Sequence, residues 1–322
     1  MESTDPVTAD VEQGIQRLVK ATMAKRPALE SLVKPFAELF IEKSRVARTL
    51  KKEADRDASD LSASRRLSDG VPLLAGVALD SLAPALDHAF GALVPVLNRL
   101  FPAFTADLER INSAHHDASL NLVALAGACL ESSFTGSSKS INASETPIDP
   151  SGLGFVVNLV LSAVLQSLAP SLAQRIKDGN WQRGYCPICG SLPSLSYLSK
   201  PAAENAGFLV GGGGRRYLHC AVCGHNWRVS RTLCAACERE LTDQKMYLRV
   251  QDDAGERVDV CHHCHHYLPC IDLRETGVFP HLDTAAVGLA HLDMLAQDKG
   301  YAPMFRTPWN TFKPPAPVQP AQ

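Results

Sequence analysis

The chain has 322 residues, 45% of them hydrophobic and 20% charged, with a formal net charge of −2. This length exclude a single mini-domain and leaves room for two domains, and the composition excludes both a wholly disordered chain and a multi-span membrane protein. The charge is unevenly spread: residues 181–250 hold nine Lys/Arg against four Asp/Glu, and residues 251–322 hold five against nine.

The opening stretch, MESTDPVTADVEQ, is polar and acidic. It lacks the basic start and apolar run of a secretory signal and the Arg/Ser bias of a transit peptide, so a cytoplasmic location is expected. Residues 1–180 predict an all-helical domain. In FAELFIEKSRVARTL the apolar Phe36, Leu39, Phe40, Val46 and Leu50 share one helical face, and Lys43, Arg45 and Arg48 are expected to stay in water. Leu82, Leu86, Phe90, Leu93 and Leu97 repeat the pattern, with Pro84 and Pro95 expected to start, kink or stop helices. Such stripes are core faces rather than cofactor boxes, and Cys129, within LVALAGACL, belongs to the same core.

After a Ser/Pro/Gly-rich loop, TGSSKSINASETPIDPSG, the uncharged stretch GFVVNLVLSAVLQSLAPSLAQ (154–174) is long enough to span a membrane. However, Asn158, Ser162 and Gln166 recur every four residues as one polar stripe and Pro170 interrupts the run. A helix buried among other helices is therefore expected, with no stable membrane insertion.

From Trp181 the texture changes to short β-type runs, SLSYL, RRYLHC, NWRVSRTL, KMYLRVQ and RVDV, with a hairpin turn expected at DDAG. Between them lie four C-x-x-C pairs: Cys186/Cys189, Cys220/Cys223, Cys234/Cys237 and Cys261/Cys264. Two intervening residues let both thiolates of a pair turn toward one ion, and a tetrahedral ion takes two such knuckles, so eight thiolates make two closed sites. In a reducing compartment this pattern points to metal rather than disulfides. Joining the knuckles in chain order gives each site its own antiparallel strands, and a cross-brace of first with third and second with fourth is the alternative. The ligand set does not distinguish iron from zinc. Gly190 and Gly224 follow the first two knuckles and permit a positive φ; the third and fourth lack that glycine, which predicts a less regular second site. The histidines of CHHCHHYLPC (His262, His263, His265, His266) are expected outside the sulfur set, as are His219 and His225, and Cys270 is expected as a small buried hydrophobe on the next strand.

The reading is an α+β chain: a helical domain (1–180), a first metal ribbon (181–232), a second (233–275), a C-terminal helix (276–305) and a disordered Pro-rich tail (306–322). Arg215, Arg216, Arg228 and Arg231 suggest exposed basic arms on the ribbons. A zinc-ribbon nucleic-acid binder is one alternative function, disfavoured because the chain is slightly acidic overall and Tyr217 and Trp227 suit a ribbon core. A thiol or electron-transfer enzyme is another. No nucleophile or carboxylate pair stands out, GGGG at 211–214 lacks the Lys-Ser/Thr of a phosphate loop, and cysteines committed to metal are not free for catalysis.

The sequences YCPICGSLP, GRRYLHCAVCGHNWRVSRTLCAAC, CHHCHHYLPCIDL and HLDTAAVGLAHLDMLAQDKGY, in this order and spacing, resemble the FdhE family of formate dehydrogenase accessory proteins over about residues 181–301. The resemblance implies a cytoplasmic, non-catalytic assembly factor that binds the catalytic subunit of a respiratory formate dehydrogenase before export through the twin-arginine pathway, with no nucleic-acid partner. It also implies two rubredoxin-like iron centres held by Cys186, Cys189, Cys220, Cys223, Cys234, Cys237, Cys261 and Cys264. The long loop KPAAENAGFLVGGGG and the histidines of the fourth knuckle depart from the family pattern without removing a ligand.

Overall fold

The computed structural model describes residues 6–60, 64–135, 149–176, 181–200, 214–240, 245–250, 253, 255–274 and 278–311. The loop at 136–148, the long loop at 201–213 with most of the glycine run, residues 252 and 254 of the expected turn, and the tail from 312 onward lie outside them.

The first part is helical: α1 (Pro6–Lys25), α2 (Glu30–Asp60), α3 (Ala83–Leu100), α4 (Thr105–His116), α5 (Leu122–Thr135) and α6 (Pro150–Ala173). Both expected stripes are buried, Phe36 to Leu50 on α2 and Leu82 to Leu97 leading into and along α3. Pro84 sits in the first turn of α3, where its missing N–H costs nothing, whereas Pro95 lies inside that helix and does not stop it. Helix α6 has the length and apolarity of a membrane span. Here it forms the middle of the helical layer, packing against α2, α3 and α5. Pro170 falls near its C-terminal end, and the helix runs on to Ala173.

Lys43 departs from the sequence reading. It is 2% exposed, and its Nζ lies 2.7 Å from Oδ2 of Asp283, itself 4% exposed. Position 43 follows Leu39 and Phe40 by four and three residues, so it falls on the buried stripe rather than beside it.

The second part holds the two expected ribbons, joined side by side into one sheet. Its strands β1 (Leu195–Ser199), β2 (Arg215–His219), β3 (Asn226–Val229), β4 (Lys245–Leu248), β5 (Glu256–Cys261) and β6 (His266–Asp272) lie in the order β3-β2-β1-β6-β5-β4. Each expected ribbon is an antiparallel unit, and the two are fused by parallel pairing of β1 with β6, Ser196 opposite Cys270. Cys270 is fully buried at this seam. Arg216 on β2 and Asp259 on β5 reach across it as a buried pair, Nη2 to Oδ2 3.2 Å, and Arg216 also donates to the Leu233 carbonyl at 2.6 Å. Arg216 is therefore no exposed arm: a charge on the inner face of a sheet survives only with a partner there. Trp227 is buried and Tyr217 stacks on Tyr197, as expected of a ribbon core.

The C-terminal part is two short helices, α7 (Leu282–Gly288) and α8 (Ala290–Asp298), followed by β7 (Ala302–Pro303), which pairs with β6. The chain stays packed through Thr307, Trp309 and Asn310, all buried. One core runs unbroken from α1 through both sheet halves to Trp309.

Asp293 of α8 is 1% exposed, and burial pushes its carboxyl up to about 7 against the opposing hydrogen bond of Tyr267. In the unfolded chain the same group ionises near 3.9. Between these values the unfolded state releases a proton that the folded state keeps, so stability falls as pH rises toward 7 and levels off above it. Asp293→Asn should remove that loss. In urea unfolding, the variant's gain over the parent should grow from pH 5 to pH 8 toward a value of about 4 kcal/mol.

Candidate metal centres

The eight paired cysteines gather into two groups in chain order and not as a cross-brace: Cys186, Cys189, Cys220 and Cys223, and Cys234, Cys237, Cys261 and Cys264. Within each group all sulfurs lie within 4.8 Å of one another. In the first, Cys186–Cys223 and Cys189–Cys220 are both 3.4 Å apart; in the second, Cys234–Cys264 and Cys237–Cys261 are 3.7 and 3.9 Å apart. A tetrahedral ion at 2.3 Å from each thiolate requires edges of about 3.8 Å. Both groups can therefore hold a metal ion, the second at this spacing and the first after a small expansion. None of the neighbouring histidines enters either set.

The four knuckles share one backbone design. The N–H of the residue after the second cysteine donates to the carbonyl of the first cysteine: Gly190 to Cys186, Gly224 to Cys220, Glu238 to Cys234 and His265 to Cys261, at 2.8–2.9 Å. All four of these residues have positive φ, 81° and 73° at the glycines and 56° and 55° at Glu238 and His265. The second site thus keeps the knuckle geometry without the glycine, and side-chain contacts accompany the departure. The Glu238 carboxylate accepts from the Gly184 N–H at 2.8 Å and from Arg183 at 3.1 Å, and the His265 ring stacks on Tyr301. Gly224 is constrained twice, by φ and by Gln166 of α6, which lies 3.2 Å from where a Cβ would stand.

Surroundings distinguish the two groups. The first is sealed, each of its cysteines no more than 2% exposed and all within the main core. The segment before α3 braces it, with Leu73 and Leu74 donating to the carbonyls of Pro187 and Ile188 at 2.9 Å. Ser162 of α6 donates to the Ala221 carbonyl at 3.1 Å. The polar stripe on α6 is now explained: Ser162 and Gln166 face the second knuckle. His219, next to Cys220, sits between Asn226 and Asp283, 2.8 Å from each. Burial works against the charge on Asp283, but the Lys43 ammonium and then His219 outweigh it and hold the carboxyl well below the usual carboxylate range. A cavity of about 510 Å³ opens beside Cys223, lined by His219, His225, His281 and Phe279 among others. The second group forms a small separate cluster with Ala236 and Met304, and Cys237 and Cys264 are partly exposed.

Burial pushes the Cys186 and Cys223 thiols well above their ordinary value, and Cys234 up to about 11. Thiolates so placed require a cation, and loading one releases protons.

The two groups are mechanically joined. Glu238, next to Cys237, holds Arg183 and Gly184 just before Cys186, and Gly184 packs so closely on Ala235 that an added Cβ would run into its backbone carbonyl. Gly184→Ala should therefore cost about 3 kcal/mol, read as a lowered urea midpoint with the slope unchanged.

Sequence reasoning missed a third group, Asp253, Glu256 and His291, whose ligand atoms also fall within metal-binding range of one another. Its carboxylates are already matched by Lys25 on Asp253 and Arg26 on Glu256, each at 2.6 Å. They serve as a clasp between the end of α1 and the β5 region.

Residues 185–231 match the family model described as FdhE, central domain, a stretch holding the whole first cysteine group. The chain is 31% identical over 150 residues to the Protein FdhE homolog of Aquifex aeolicus, covering 45% of this chain and 49% of that one. It is 27% identical over 240 residues to the Protein FdhE homolog of Edwardsiella ictaluri, covering 73% and 71%. To Protein FdhE of Escherichia coli it is 32% identical over 143 residues, covering 44% and 41%. The aligned part thus spans about half the length of the Aquifex relative and less than half of the Escherichia one. In three dimensions the chain is similar to the crystal structure of the FdhE protein from Pseudomonas aeruginosa, with a TM-score of 0.56 at 19% identity over 94% of this chain and 95% of that one. That likeness carries the fold.

Proposed function

We propose, from the likeness to FdhE proteins, that the chain is a member of the FdhE family and a cytoplasmic, non-catalytic maturation factor for a respiratory formate dehydrogenase, binding the enzyme's catalytic subunit before export. The observation that carries this reading is the pair of four-sulfur groups set in one sheet, the first of them sealed against the helical half.

Cys186, Cys189, Cys220 and Cys223 would hold one ion, and Cys234, Cys237, Cys261 and Cys264 the other. Iron is the proposed occupant and zinc the alternative; iron would supply one-electron chemistry, whereas zinc would only hold the fold. The remaining residues form the scaffold. Lys43, Ser162 and Asp283 lock the second knuckle to α2, α6 and α7. Phe279, 58% exposed, lines the cavity beside Cys223, and its neighbour Val278 is 67% exposed, so the two offer an apolar contact. Arg228 and Arg231, both exposed, add positive charge on the first ribbon.

The test is anoxic mixing of the purified metal-loaded chain with a purified formate dehydrogenase catalytic subunit, followed by size-exclusion chromatography at moderate salt. Co-elution, weakened by Phe279→Ser in a chain that retains both metals, supports the proposal. Absence of a complex, together with full formate dehydrogenase activity in cells lacking the gene, would sink it.

A further inference from the structure

The structure contains a second, larger cavity, about 730 Å³, outside both cysteine groups. Its walls are aromatic, with Phe36, Phe40, Phe101, Phe104, Phe155 and Trp309 around it. Of these, Phe101, Phe104 and Phe155 keep partly exposed surface. Pro150 and Pro308 also line it, while Asn158 and Ser162 of the α6 stripe supply polar groups. An aromatic trough with a few polar groups is the kind of surface that takes polyproline II segments, whose rings stack on aromatic faces and whose carbonyls remain free to accept hydrogen bonds.

One segment of that chemistry begins at the cavity itself. Thr311 lines it, and the next residues are Phe312-Lys313-Pro314-Pro315-Ala316-Pro317-Val318-Gln319-Pro320-Ala321-Gln322. The point of departure is held firmly. Residues 302 and 303 pair with β6, the Asn310 carbonyl accepts from Gln297 at 2.8 Å, and the Thr311 hydroxyl donates to the Thr307 carbonyl at 2.6 Å. Trp309 stands edge-on to Phe36 and Phe40, with ring centroids 5.2 and 6.1 Å away. At about 3.1 Å per residue, even five residues in polyproline form reach roughly 15 Å.

We propose that this cavity is a polyproline-binding groove and that residues 312–318 of the same chain occupy it. Two physical arguments favour the chain's own segment over a free ligand. Tethering at the rim gives an effective concentration in the millimolar range, enough to fill a weak site. Prolines 314, 315 and 317 have little backbone freedom left to lose on docking. Lys43, Ser162 and Asp283 line the groove together with Ala221 and Val222 of the second knuckle, so the segment would cover the Lys43 and Ser162 contacts, and no cysteine is among the lining residues.

The first experiment places p-benzoylphenylalanine at position 318 of the full chain, irradiates it at low concentration and maps the cross-link by mass spectrometry. Cross-links within one chain to peptides containing Phe104 or Phe155 support the proposal. Cross-links elsewhere on the surface, to a second copy, or none at all, overturn it. The second experiment measures binding of a fluorescent peptide FKPPAPVQPAQ by anisotropy to the full chain and to a chain ending at Thr311, both checked for two metals per chain. The shortened chain should bind at least tenfold more tightly, because its groove is open, and the peptide with glycine in place of all three prolines before Val318 should bind tenfold more weakly. Equal binding to both chains, or none to either, overturns the proposal.

Discussion

Serine in place of Cys186 and Cys220 should cost the protein its native fold, whereas serine in place of Cys237 and Cys264 should cost it one metal and leave most of the fold standing. The difference follows from where the sulfurs sit. Cys186 and Cys220 are fully buried in the main core, and the knuckles they open are bonded to Leu73, Leu74 and Ser162 of the helical half. Cys237 and Cys264 belong to the small outer cluster and are partly exposed. Structural zinc contributes about 10–16 kcal/mol in peptides that fold around it, against a typical whole-domain stability of about 5–15 kcal/mol. Loss of the inner ion therefore matches or exceeds the stability of the whole, while loss of the outer ion should open only the strands around it, as local unfolding. The measurement is metal per chain with near-ultraviolet circular dichroism for each double variant. A chelator titration of the parent should release metal in two steps, the outer ion first and with the smaller spectral change. Equal structural loss in the two variants would show that exposure does not rank the sites.

Asp283→Ala should destabilise the chain by about 3–5 kcal/mol, because it leaves the Lys43 ammonium buried without its carboxylate. Lys43 is 2% exposed; its ammonium bonds Asp283 and Ser162 at 2.7 and 3.3 Å and lies over the Phe40 ring, 4.9 Å from its centroid. A neutral hydroxyl does not replace the lost charge. The loss should be largely reversed by adding Lys43→Met, which replaces the stranded charge with an apolar side chain of similar length on the stripe that already holds Phe40, Val46 and Leu50. The four chains of this double-mutant cycle, unfolded in urea under identical metal loading, give the coupling between the two residues. A double variant no more stable than Asp283→Ala alone would show that His219, which loses the same carboxylate, carries the effect instead.

The sequence exposed the parts of this molecule that are written locally. A C-x-x-C knuckle is complete within a few residues, so all four could be named and their chain-order grouping weighed; the same holds for the apolar stripes, where Leu86, Phe90, Leu93 and Leu97 are buried at the expected spacing. What was hidden depends on distant partners. Lys43 falls on the apolar stripe, but nothing near it in sequence reveals that Asp283 waits 240 positions later. Arg216 looks like any basic strand residue until β5 brings Asp259 to it across β1 and β6. Glu238 and His265 adopt a glycine-like backbone because the knuckle's hydrogen bond demands it and neighbouring side chains hold them, a compromise that residue preference alone does not reveal. The pairing of β1 with β6 leaves no local trace, since parallel neighbours are joined by long connections rather than by a tight turn.

That parallel seam also orders events during synthesis. Strand β1 ends at Ser199, and its partner β6 does not begin until His266. A nascent chain can close its inner sulfur cage once Cys223 has left the ribosome, yet β1 then presents an unpaired edge until β6, which runs from His266 to Asp272, has followed. Contacts of such high sequence separation form slowly, because loop entropy is lost before pairing compensates for it. Early metal capture would hold β1 and β2 in place through that interval, making the inner ion a folding clamp as well as a component of the finished protein.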